Sequence, residues 1–209
     1  MKSNKNRLNK EDDILQAAEQ EFLTKGFDGA RTTSIAKAAG VTHAMLHYYF
    51  KTKENLFEKI VGGKIKTIGN LFLVAFSSSN LPFEKKLEDG ITAQFEFILK
   101  NPDLPRFFVN EIASKPEHYK LVGLNKEIRS MVKNILKNVQ AELDKENARK
   151  KLPHMDARHL MLDIVSLNVF PFIAYPVIQM VLGKEFTSIK HFAAARKAEN
   201  IETIMKRLK

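Results

Sequence analysis

At 209 residues, with 44% apolar and 28% charged side chains, the chain has the balance of a folded protein long enough to bury a substantial core. It lacks cysteine, which excludes disulfides, thiolate metal centres and thiol nucleophiles and fits a reducing cytoplasm. The formal charge of +10 points to a polyanionic partner, nucleic acid ahead of a membrane surface, yet the charge is spread along the chain and locates no site.

The N-terminal MKSNKNRLNKEDD is basic and has no apolar run, so it does not read as a secretory signal. Its Lys2, Lys5, Arg7 and Lys10 form a flexible arm, equally suited to a polyanion and to solvent. Helical periodicity dominates from there on. Ile14, Ala17, Ala18 and Phe22 make one apolar stripe of a first helix, which EDD at 11–13 opens and Gly26 closes. A short second helix spans roughly 32–39 and ends at Gly40. Thr42 caps a third helix and Thr52 a fourth, which runs through the seventies toward SSSN. Pro82 opens a fifth, broken by NPDLP near 101–105, and a short helix follows over 104–114. A long amphipathic helix over about 118–149, a greasy one over 156–182 and a closing one over 187–208 complete the pattern. The expectation is an all-α chain of about nine helices, with a three-helix domain at 1–55 and a larger bundle at 56–209.

The greasy stretch at 160–182 is long enough to span a membrane. Asp163, Asn168, Gln179, Pro171 and Pro176 argue instead for a helix buried against protein on nearly all sides, and no membrane partner is expected.

Residues 32–50, TTSIAKAAGVTHAMLHYYF, combine a short helix, a glycine turn and a second helix, the build of a helix-turn-helix. At roughly 100° per residue, Leu46 and Phe50 share the inner face with Tyr49 beside them. Ala44 and Tyr48 point outward, flanked by His43 and His47 on one side and Met45 on the other. Imidazoles, a phenol and a small alanine suit phosphates and base edges in a major groove. Lys53, in the first turn of the fourth helix, opposes the helix dipole unless an anion docks there.

ILQAAEQEF, KGF, IAKAAGV, LHYYF and KTKENLF, in that order from about Ile14 to Val61, resemble the DNA-binding domain of the tetracycline-repressor (TetR) family. The resemblance covers about 48 residues; the remainder matches in helical character alone. It implies DNA contacts from Thr32, Thr33, Thr42, His43, Ala44, Met45, His47 and Tyr48. It also implies a phosphate clamp from Tyr48, Tyr49 and Lys53. Two positions depart from the family pattern: Arg31 stands where a small hydroxyl residue is common, and His47 where a tyrosine is frequent. The resemblance further implies a homodimer, expected through the last two helices, acting on a double-stranded, (pseudo)palindromic operator and released by a small effector.

Several competing chemistries are weaker. His43 and His47 have the i, i+4 spacing of zinc ligands, but Ala44 replaces the glutamate of H-E-x-x-H and no third ligand is near, so no metal is expected. Asp156, His159 and His154 read as a capping aspartate with surface histidines. Glu111 and Asp163 stand in apolar surroundings, where hydrogen bonding inside the fold accounts for them. With no phosphate loop, no G-x-S-x-G and no carboxylate pair, neither enzymatic activity nor a cofactor is expected. An effector-independent, nucleoid-type DNA-binding protein would use the same head. Fifteen phenylalanines without a tryptophan favour an aromatic pocket for an apolar or amphipathic effector, with Phe95, Phe107, Phe108, Met131, Met161, Phe170, Phe172 and Tyr175 as candidate lining and Phe97 beside them.

Overall fold

The computed structural model describes residues 2–77, 80–115, 118, 126–150, 155–183 and 188–208. Among them the chain is all-helical. The helices are α1 (Lys2–Gly29), α2 (Thr32–Ala38), α3 (His43–Phe50), α4 (Lys53–Ser77), α5 (Phe83–Lys100), α6 (Leu104–Phe108), α7 (Lys126–Lys150), α8 (Ala157–Leu182) and α9 (Ile189–Lys206). A π-helical turn, Val109–Ala113, follows α6. The backbone is helical from Lys2, where the sequence suggested a flexible arm. The first part of the long helix expected from 118, residues 119–125, lies outside the described residues, as does His154.

The chain divides into two units: Met1–Ile65 with Phe107–Asn125, and Lys66–Arg106 with Lys126–Lys209. The first unit thus runs past the boundary expected at residue 55. That boundary would cut α4 just before Leu56, Phe57, Ile60 and Val61, all of which are buried among the head residues.

In the first unit, Ile14, Ala18 and Phe22 bury the inner stripe of α1. Phe22, Phe27 and Phe57 then meet ring to ring, with centroids 4.9 to 6.1 Å apart. Full burial of such a ring is worth roughly 2–3 kcal/mol. Gly26 (φ 68, ψ 178) interrupts the helical backbone and turns the chain toward Phe27. That departure has a long-range partner. Buried Glu111, in the π-helical turn, accepts a hydrogen bond from the Phe27 amide at 2.9 Å. A Cβ on Gly26 would stand 2.6 Å from the Glu111 carboxylate.

Around this joint, Lys115 bonds Glu111 at 3.2 Å and Asp28 at 2.9 Å. The same contact lowers the pKa of Asp28, and the hydrogen bonds Lys115 donates to Asp28 and then to Glu111 raise its own. Buried His118 donates from Nδ1 to the Glu111 carbonyl at 2.7 Å and lays its ring against Phe27 and Phe57.

The second unit has a core of Phe72, Leu87, Ile91, Val139, Leu143, Leu160, Ile164 and Ile204, among others. At its centre lies a polar chain. Asn168, fully buried, donates to the Ile91 carbonyl at 3.1 Å and to Gln94 at 2.9 Å, and accepts from Asn200 at 3.0 Å.

The α8 helix runs unbroken through Pro171 and Pro176. Proline lacks an N–H, so Pro171 leaves the carbonyl four residues earlier, that of Leu167, without its helical donor. The Asn200 side chain supplies the missing bond at 2.8 Å. Asp163 pairs with Arg207. By length and apolarity α4 and α8 could each cross a membrane, but the buried Asn168 network ties α8 to α5 and α9.

Candidate nucleic-acid interface

The turn between α2 and α3 is built from local signals. Gly40 adopts φ 63, a conformation that costs glycine little. Val41 donates to the Ala36 carbonyl at 3.0 Å, closing the turn. Thr42 caps α3, its hydroxyl accepting from the Met45 amide at 3.2 Å. Leu46 and Phe50 are buried and seat the helix. Thr42, His43, Ala44, His47 and Tyr48 are exposed, with Tyr48 57% accessible, while Met45 and Tyr49 are half-buried at the edge. Thr33 is also exposed and Thr32 half-buried.

Thr32 and His43 are joined, Oγ1 to Nε2, at 2.9 Å. The His43 and His47 rings stand edge to face at 4.4 Å. His47 Nδ1 lies 2.8 Å from the Lys51 carbonyl. Each imidazole therefore already spends one nitrogen inside the domain. Among the described residues no group of three or more His, Asp and Glu is placed to hold a metal ion. Arg31 occupies the N-cap position of α2 without a side-chain cap bond, and its amide donates to Glu21 at 3.3 Å. Lys25 holds the Glu21 carboxyl below the usual range. An open groove of about 620 Å³ along α1 is lined by Asp13 and Glu21 among others. Those charges repel phosphate, so the groove is not the DNA face.

Beyond α3 the chain turns sharply. Lys51 has φ 63 and ψ −58, and the Thr52 amide donates to the Phe50 carbonyl at 2.7 Å. This is a γ-turn of the positive-φ kind on a residue with a Cβ, a strained arrangement costing about 1–3 kcal/mol. It persists because both ends of Lys51 are held. Its amide donates to the His47 carbonyl at 2.9 Å, and its carbonyl accepts from the His47 ring. The exposed Lys51 ammonium sits 5.6 Å from the Tyr48 ring centroid. Sequence reasoning passed over Lys51; the only signal was its place between the recognition helix and the capping Thr52.

Lys53 is placed differently from expectation. Its ammonium donates to the carbonyls of Phe27, at 2.9 Å, and Ala30, at 3.3 Å, and lies 4.4 Å from the Phe27 ring centroid. Carbonyls at the end of α1 attract a cation as an anion would, so the lysine is accounted for within the fold.

Residues 14–60 match the family model described as bacterial regulatory proteins, tetR family. That stretch is a tetR-family domain. The chain is a DNA-binding transcriptional regulator. It is 25% identical over 153 residues to the HTH-type transcriptional regulator YdgC of Bacillus subtilis, covering 68% of this chain and 74% of that protein. It is 22% identical over 156 residues to IcaR of Staphylococcus aureus, described as a negative regulator of the biofilm operon icaADBC, covering 72% and 77%. The TetR-family regulator PfmR of Thermus thermophilus shares the fold, with a TM-score of 0.66 at 16% identity, covering 94% of this chain and 98% of that one.

The candidate pocket residues fall in both units. Phe107 and Phe108 belong to the first unit, where Phe107 packs on Phe57 at 5.9 Å. Phe170 is 63% exposed and faces away from the core. Met131 and Met161 lie against the main core of the second unit. Phe95 and Phe172 do meet, centroids 5.4 Å apart, in a small second cluster. Tyr175 stacks near Phe192 at 5.9 Å. Phe95 and Phe172 thus form one aromatic pair between α5 and α8, and Tyr175 forms another with Phe192 of α9.

Proposed function

We propose that this regulator is a repressor that binds a (pseudo)palindromic operator as a homodimer and is released by a small apolar or amphipathic effector. The exposed face of α3 carries the proposal for DNA: Thr42, His43, Ala44, His47 and Tyr48 are solvent-exposed on a helix seated by Leu46 and Phe50. Thr33 from α2 and the half-buried Thr32, Met45 and Tyr49 complete the contact set, with Lys51 taking the phosphate role first given to Lys53. Repression is supported by the likeness to IcaR, a negative regulator by its description. A DNA partner places the protein in the cytoplasm.

Dimerisation is supported by α8. Ala157, Leu160, Ile164, Asn168, Pro171 and Phe172 bury one side of it. On the opposite side Leu162, Phe170, Val177 and Met180 are more than half exposed, a stripe that solvent does not favour. Pairing of α8 and α9 with their copies would cover it and set two α3 helices one or more DNA turns apart. Effector binding is supported by the Phe95–Phe172 and Tyr175–Phe192 pairs beside the buried amides of Gln94, Asn168 and Asn200. The effector releases DNA by favouring a head spacing that no longer fits the operator.

The decisive experiment is operator retardation with Tyr48→Ala. Tyr48 is largely exposed, so the variant keeps its fold and loses at least tenfold in affinity; unchanged binding would sink the interface. Light scattering at micromolar concentration tests the dimer, and a monomer there removes the two-half-site model.

A further inference from the structure

His47 has a hydrogen-bonding polarity set by the fold. Its Nδ1 lies 2.8 Å from the Lys51 carbonyl. A carbonyl only accepts, so Nδ1 carries the proton and the neutral ring is left with a bare Nε2. The Lys51 carbonyl is aimed back at the helix by the γ-turn, φ 63 and ψ −58, and cannot swing away without undoing the Thr52–Phe50 bond. His43 differs, since its Nε2 is already engaged with Thr32. The exposed His47 Nε2 has no hydrogen-bond partner among the described residues.

We propose that His47 reads a base edge as an acceptor, its Nε2 accepting a hydrogen bond from the exocyclic amine of adenine or cytosine in the major groove. The inference rests on α3 being the DNA-reading helix. A bare nitrogen has no proton to give a phosphate, and its lone pair repels phosphate oxygen. In the major groove guanine offers only N7 and O6 acceptors and thymine only O4 beside a methyl, whereas adenine N6 and cytosine N4 are the donors. Each base pair carries one such amine. His47 therefore distinguishes which strand carries the amine, rather than A·T from G·C. A protonated ring would donate instead and reverse this preference; the ring beside it is that of His43, at 4.4 Å. The test is therefore made at pH 8, where histidine is neutral.

The full chain is used to select DNA from a random pool at pH 8. In the selected site each adenine or cytosine is then replaced, one at a time, by an analogue lacking the exocyclic amine. One position per half-site is expected to weaken wild-type binding by roughly three- to tenfold, the worth of one hydrogen bond. His47→Ala should be indifferent to that replacement, while His47→Gln, whose amide oxygen is again an acceptor, should regain the sensitivity. The analogue series on wild-type protein does not depend on how the variants fold. If no amine deletion affects the wild type, or if the sensitive position survives in His47→Ala, the proposal is overturned. It is equally overturned if His47→Ala weakens all sequences alike and lowers the salt slope by about one, the mark of a phosphate contact. A wild-type chain that retains no DNA would overturn the interface reading itself, and this proposal with it.

Discussion

The joint between Gly26 and Glu111 makes a sharp prediction because two independent costs meet there. Glu111→Ala removes the acceptor of the buried Phe27 amide, 2.9 Å away. An unsatisfied buried donor costs about 1–3 kcal/mol. The bond to Lys115 is lost as well, but that lysine keeps Asp28 and part of its hydration and adds little. The expected loss is about 2 kcal/mol, or roughly 4–8 °C in Tm for a chain of this size.

Glu111→Gln keeps an acceptor for Phe27 and should lose only about half as much. Gly26→Ala alone carries the cost of a positive φ, about 1–2 kcal/mol, together with a Cβ 2.6 Å from a carboxylate oxygen. In the double variant the truncated side chain at position 111 leaves room for that Cβ, so the two losses should add to less than their sum. The assay is equilibrium denaturation followed by circular dichroism, with a coupling of about 1 kcal/mol expected. Strict additivity, or a Glu111→Gln variant weaker than Glu111→Ala, would refute the reasoning.

Other residues give tests of the same kind. Lys53→Met strips a donor from the Phe27 and Ala30 carbonyls and should lower head stability by about 1–2 kcal/mol in denaturation, so a DNA-binding loss in this variant reflects folding as well as contact. Asn200→Ala leaves the Leu167 carbonyl unpaired; Pro171→Ala restores the helical N–H and should recover part of the roughly 1–2 kcal/mol lost, which a thermal melt of the double variant checks. Glu142 is held below its usual pKa by Lys145 first and by the buried Lys86 as well. Its contribution is present above the carboxylate's unfolded value and fades as pH falls through the lowered one. Glu142→Gln should therefore be weaker than wild type at pH 7 and equal to it at strongly acid pH, and more damaging than Lys86→Met, which leaves no buried cation behind. Met180→Glu, at a 77% exposed position, should leave the monomer's stability within about 0.5 kcal/mol yet shift light scattering from dimer to monomer.

What the sequence made legible was whatever its near neighbours in the chain decide. Thr42, Gly40 and the spacing of Leu46 and Phe50 act within one or two turns, and they placed α3 and its outer face without tertiary information. The reading of Lys53 missed its partners inside the fold for a related reason. A lysine in the first turn of a helix opposes that helix's own dipole, and an anion was the obvious remedy. The remedy in the fold is the carbonyl end of α1, whose proximity depends on how Gly26 and Phe27 turn. Glu111 was legible as a group hydrogen-bonded inside the fold, but its partner was not, for the same cause. Its bond to Phe27 spans 84 residues, and from sequence only the i, i+4 pair with Lys115 is visible.

The effector candidates were less accessible still, since aromatic content says that rings will be buried but not with whom. Phe107 went to the head and Phe170 to the surface. The exposed Phe170 follows from α8 being apolar on both sides: one side fills its own core, and the other makes sense once a second copy is the neighbour. A helix that is greasy all round can satisfy that demand with its own chain, with lipid or with a partner. In α8 the fully buried Asn168 fixes one side to α5 and α9, and the other side is the one that the proposed dimer would cover.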